Sequence, residues 1–130
     1  MKKWIPVILS ALLLTGCGAS AQDNLGYRQI TMEEAAKRME QEPAAIILDV
    51  RWPDEYQAGH IPGAINIPNE TIGSEALPQL PDKDQTILLY CRSGNRSKQA
   101  SEKLAALGYT QVLEFGGILD WPGQVVTEEA

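Results

Sequence analysis

Tyr90-Cys91-Arg92-Ser93-Gly94-Asn95-Arg96-Ser97 carries the chain from an apolar run into a short polar turn with a glycine and two arginines. Upstream, residues 86–90 are apolar and bounded by turn signals, the pattern of a buried strand. Downstream, residues 96–107 read as an amphipathic helix: Ala100, Leu104 and Leu107 share one face, Gln99, Glu102 and Lys103 turn away, and Gly108 supplies the stop. A cysteine directly after a strand and directly before a helix lies where backbone N–H groups converge with the positive end of the helix dipole, and both favour a thiolate. Arg92 and Arg96 add full positive charges. Gly94 accepts φ values closed to other residues, and Asn95 tolerates the left-handed region, so the pair suits a cradle-shaped turn. A cysteine that merely ends a buried strand would leave the glycine and both flanking cations without a reason.

Working outward, Thr31 with Glu34 three positions on forms a capping box for a helix over 32–40, with Ala35, Ala36 and Met39 on its apolar face. Short apolar runs at 45–50, 64–67 and 111–115 read as further buried strands. Strands alternating with helical segments predict an α/β domain with a mainly parallel sheet, and in such sheets ligands sit beyond the carboxyl ends of the strands. The 91–97 turn occupies that place. No internal repeat or second domain is visible. The 130 residues with ordinary apolar content suit one core that folds without a disulfide or structural metal.

Net charge is −6, and removal of Lys2 and Lys3 with a leader takes it to −8, which speaks against nucleic acid as a partner. Arg92, Arg96 and Lys98 form a local cationic spot on this negative background, suited to a small anion. The first sixteen residues read as an export signal: Lys2 and Lys3, an apolar block too short to span a bilayer, then Leu14-Thr15-Gly16-Cys17, which resembles the bacterial lipobox. Cys17 is then lipidated, residues 17–26 form a tether, and the protein is held at a membrane facing the periplasm. Gly18 after the cysteine resembles the outer-membrane sorting pattern of Gram-negative lipoproteins. Ala19-Ser20-Ala21 offers a competing cleavage before Gln22, which would release a soluble periplasmic protein. Either route leaves Cys91 as the one reactive thiol of the mature chain.

Beyond the turn itself, Asp49-Val50-Arg51, Trp52-Pro53-Asp54-Glu55-Tyr56, Gly59-His60-Ile61-Pro62-Gly63-Ala64-Ile65-Asn66-Ile67-Pro68 and Gly116-Gly117-Ile118-Leu119-Asp120-Trp121 follow in order and spacing. With them the chain resembles the rhodanese homology family, of the single-domain thiosulfate sulfurtransferase type, from Tyr27 to Trp121. The resemblance implies a three-layer α/β domain over 27–122, followed by a C-terminal tail over 123–130. It implies Cys91 as a persulfide-forming nucleophile and Arg92, Ser93, Gly94, Asn95 and Arg96 as the loop that binds a small sulfur-containing anion. Arg92 and Arg96 would hold the donor's oxyanion charge, with Arg96 the stronger candidate. A thiophilic acceptor takes the sulfur, and neither metal nor organic cofactor is required.

Asp49 and Arg51, two apart on one strand face, read as scaffold. His60 invites a general-base role, but in a turn-rich stretch an imidazole commonly ties down backbone, and a pre-ionised thiol needs no base. Trp52, Trp121 and Gly116-Gly117 read as packing and backbone geometry. Two rivals stand beside sulfur transfer: a persulfide carrier or binding module without small-donor turnover, and a phosphatase or arsenate reductase. Against the latter, four residues separate Cys91 from Arg96, one fewer than in the tyrosine-phosphatase-like loops of this fold.

Overall fold

The computed structural model describes residues 26–127; the expected signal peptide, Cys17 and nearly all of the expected tether lie outside them. Strands β1 (Arg28–Gln29), β2 (Ile46–Asp49), β3 (Ile65–Asn66), β4 (Thr86–Cys91) and β5 (Gln111–Gly117) form one sheet in the order β1-β5-β4-β2-β3. Every pairing is parallel. Helices α1 (Met32–Gln41), α2 (Pro53–Ala58) and α3 (Asn95–Ala106) connect them, with 3-10 turns at Asn69–Thr71 and Ile118–Asp120.

β4 lies between β5 and β2, and its side chains alternate between two cores, as strand geometry requires. Ile87, Leu89 and Cys91 join Ala100 and Leu104 of α3, with Val50 and Val112; Leu88 and Tyr90 join Ala35 of α1, Ile61 and Phe115. Both faces are thus covered, giving the expected three layers. Leu88 and Leu89 have no exposed surface, and burying each side chain stabilises the fold by about 1.5–3 kcal/mol. From Ile87 onward the strand is buried and largely apolar because neither face meets water.

Helix ends follow their chemistry. Thr31 accepts from the Glu34 amide at 3.0 Å at the head of α1, which is one half of the expected capping box; the Glu34 carboxylate instead accepts from Arg38 Nε at 3.1 Å. Pro53 stands at the start of α2, where its missing N–H costs nothing. On α3 the polar face is less free than its pattern suggests. Gln99 accepts from the Asn69 side chain at 2.8 Å and Lys103 donates to the Asn69 carbonyl at 2.9 Å, so both clasp the neighbouring 3-10 turn. The chain past Pro122 returns to the domain: Val126 pairs its backbone with His60 through two 2.8 Å hydrogen bonds.

Candidate active site

Cys91 is the last residue of β4 rather than the first beyond it, paired with Gly117 across a register irregularity. Its side chain is buried against α3, and Sγ accepts the Gly94 amide at 3.0 Å. That geometry depends on Gly94, which caps α3 at φ 109°, ψ −12°. Asn95 does not share the left-handed turn: it is the first helical residue, and no non-glycine residue described has positive φ. One left-handed residue therefore suffices to bend the chain back so that an amide at the helix head faces the sulfur.

The loop is pinned from two sides. Ser97 Oγ donates to Glu114 Oε2 at 2.6 Å, and the same oxygen accepts the Gly116 amide at 2.9 Å. Oxygens of Gly94 and Gly116 also lie within reach of the hydroxyl, but a serine has one hydrogen and the charged acceptor is the strongest. From the other side, the Arg92 carbonyl accepts the Leu119 amide at 3.2 Å. Gly117 packs so closely there that a Cβ on it would stand 2.1 Å from that carbonyl oxygen. The Gly116-Gly117 pair thus acts through close backbone approach, with Gly116 also at positive φ.

Arg92, Ser93, Asn95 and Lys98 are exposed around this turn. Arg96 is not free to reach outward: its guanidinium makes a bidentate pair with Glu55 of α2, Nη1 to Oε1 at 2.7 Å and Nη2 to Oε2 at 3.0 Å. Oε1 of Glu55 also accepts the Trp52 amide at 3.0 Å. The Arg96 hydrogen bond is the main reason the Glu55 carboxyl is lowered from its ordinary 4.5 to about 2, against an opposing effect of burial. Arg96 is thus paired with a carboxylate within the protein, a contact that its sequence surroundings do not announce.

The residues read as scaffold are tied inward. Arg51 donates from Nε and Nη2 to Asp49 and from Nη2 to the Gly59 carbonyl at 2.6 Å, all at buried or half-buried positions. His60 Nδ1 lies 2.8 Å from the Tyr56 carbonyl, which can only accept, so that nitrogen carries the proton; the ring stacks on Tyr56 at 3.9 Å. Tyr90 accepts the Ile61 amide at 3.1 Å, and burial, with the nearby Asp49 carboxylate, pushes its phenol up. Trp121 packs on Phe115 at 5.6 Å. Trp52 departs from the packing expected of it, being 44% exposed at the head of α2.

Glu55 and Glu114 are the side chains that sequence reasoning passed over. Glu55 had a local signal, standing three residues after the helix start at Trp52, where a carboxylate caps; its partner is 41 residues away. Glu114, charged in an otherwise apolar strand, was a visible irregularity within 111–115.

A parallel sheet that delivers a thiol to an amide at a helix head places a cysteine where strand turns into helix, beyond the carboxyl ends of the strands where α/β sheets bind ligands. The rhodanese-like domain profile matches residues 31–123, and the chain belongs to that family. It is 44% identical over 73 residues to thiosulfate sulfurtransferase PspE of Escherichia coli strain K12, covering 56% of this chain and 70% of that one. A sulfurtransferase of Allochromatium vinosum is 36% identical over 94 residues, 72% of this chain and 86% of its own. A solved E. coli rhodanese with anions superposes with TM-score 0.60 at 40% identity, covering 65% of this chain and 100% of that one.

Proposed function

We propose that the protein is a sulfurtransferase that moves sulfane sulfur from a thiosulfate-type donor to a thiophilic acceptor through a persulfide on Cys91. The observation that carries this reading is the Gly94 amide on Cys91 Sγ at the head of α3. A fixed N–H dipole and a helix terminus stabilise negative charge on sulfur before the donor arrives and on the persulfide afterwards. In the first step the Cys91 thiolate attacks the outer sulfur of thiosulfate. The new S–S bond forms as the old one breaks, and its electron pair leaves with sulfite. In the second step a nucleophile such as cyanide takes the terminal sulfur and the thiolate returns, which is covalent catalysis in ping-pong order. Exposed Arg92 at the rim meets donor oxyanion charge, while Ser93, Gly94 and Asn95 form the turn around the incoming sulfur.

Sulfur rather than phosphorus is favoured by loop size: the four residues between Cys91 and Arg96 leave less room for a tetrahedral phosphate above Sγ. One preparation assayed with thiosulfate plus cyanide and with an aryl phosphate tests this. Sulfite and thiocyanate release is expected. Phosphate release without sulfite would overturn the assignment, and one round of sulfite release without thiocyanate would mark a carrier instead. The reading extends to location: lipid on Cys17 holds the domain at the envelope, facing the periplasm, supported by the order of basic start, apolar block and small-residue site.

A further inference from the structure

We infer that Glu55 is a specificity-determining residue that turns the site away from doubly charged donors by holding the Arg96 guanidinium in a bidentate pair beside the Cys91 loop. The inference rests on the sulfurtransferase reading. Both arms of the pair are short, at 2.7 and 3.0 Å, and Glu55 is itself fixed by accepting the Trp52 amide at the start of α2. The partner is therefore pre-positioned and does not wait on a mobile side chain. The Glu55 hydrogen bond is the main reason the Arg96 guanidinium is pushed further toward its charged form, with Cys91 and Glu70 as lesser neighbours. A carboxylate held well below its ordinary range keeps its charge throughout the working pH of any envelope protein. Arg92 and Lys98 are the other cations near the turn, and both are exposed, where water weakens their pull.

Coulomb attraction scales with ligand charge, so cancelling one fixed cation costs thiosulfate, a dianion, about twice what it costs a thiosulfonate monoanion. Both donors run the same balanced step. Thiolate plus thiosulfate gives persulfide plus sulfite, and thiolate plus thiosulfonate gives persulfide plus sulfinate. The ratio of their kcat/KM values then reads the charge at the rim and leaves the nucleophile out.

The test is Glu55→Gln, whose carboxamide oxygen can still accept the Trp52 amide. Donor KM and kcat are measured for thiosulfate and methanethiosulfonate, with cyanide as acceptor, at low and high ionic strength. The thiosulfate/thiosulfonate ratio of kcat/KM should rise about fivefold, the gain from one further unit charge about 4 Å from a cation in water, mostly through KM. The gain should shrink at high salt and vanish in Glu55→Gln/Arg96→Gln. Equal loss for both donors with a lowered melting temperature would mean that Glu55 only supports the fold. An unchanged ratio in a folded variant, or a raised ratio that survives loss of Arg96, would also overturn the inference while leaving sulfur transfer standing. Failure of the unmodified protein to transfer sulfur from either donor would instead sink the sulfurtransferase reading and this inference with it.

Discussion

Between Cys91 Sγ and the Gly94 amide there is a single 3.0 Å contact, and the chemistry proposed for the protein passes through it. Cys91→Ser keeps the shape of a side chain that is 1% exposed, so sulfite release should disappear while the thermal melt stays within a few degrees of the original. The Arg96–Glu55 pair makes a second prediction. Its carboxyl has a folded-state value of about 2 against an ordinary 4.5. A depressed acid contributes stability that is complete above the unfolded value and is lost as pH falls through the folded one. The stability difference between the protein and Glu55→Gln, measured by urea melts, should therefore be flat above pH 4.5 and shrink between 4.5 and 2. With about a quarter of each side chain exposed, its size should stay below about 1 kcal/mol. A difference that grows on acidification would contradict the pairing. At this scale the setting of Cys91 was legible in the sequence because strand, thiol, glycine and helix are contiguous. The state of Arg96 was not, because its partner comes from another element, and the left-handed turn fell to Gly94 alone because nothing required Asn95 to share it.

Elements fix the loop through contacts that tolerate little change. Asp49 at the end of β2 is fully buried and holds Arg51, whose side chain is 7% exposed, at 2.7 Å. Removing one partner of such a pair strands a buried charge, so Asp49→Ala should cost about 3–5 kcal/mol in a urea melt. A loss below about 1 kcal/mol would show that the pair is not needed. Gly117→Ala places a methyl group 2.1 Å from backbone, at the Arg92 carbonyl. It should push β5 off the loop and reduce sulfite release far more than Gly73→Ala, where an added methyl meets nothing within 4 Å. The longer strands and both long helices were readable because their apolar periodicity reports burial directly. β1 was not: two exposed residues, Arg28 and Gln29, carry no pattern, and they are a strand only because β5 offers a free edge. The partners of Gln99 and Lys103 were hidden for the opposite reason, since a polar residue pointing away from the core looks the same whether it meets water, the Asn69 side chain or the Asn69 carbonyl.

Taken whole, the described chain is one sheet with a core on each face and one thiol at the carboxyl end of a central strand. That arrangement followed from the order of strand and helix signals, and the family follows from the profile over residues 31–123. The proposed location rests on residues outside the described ones. We expect it to partition into the detergent phase through a lipidated Cys17, because two or more acyl chains bind membranes far more firmly than one; Cys17→Ala should leave it in the aqueous phase or block its processing. A mature N-terminus at Gln22 would show that the competing cleavage operates. The central claim is a sulfur atom carried on Cys91, and intact-mass spectrometry of the purified protein tests it most directly, before and after thiosulfate and again after cyanide. A gain of one sulfur atom, located on the peptide that contains Cys91, is expected, followed by its complete loss on adding cyanide. No gain in mass with thiosulfate, or a gain that persists in Cys91→Ser, would contradict it.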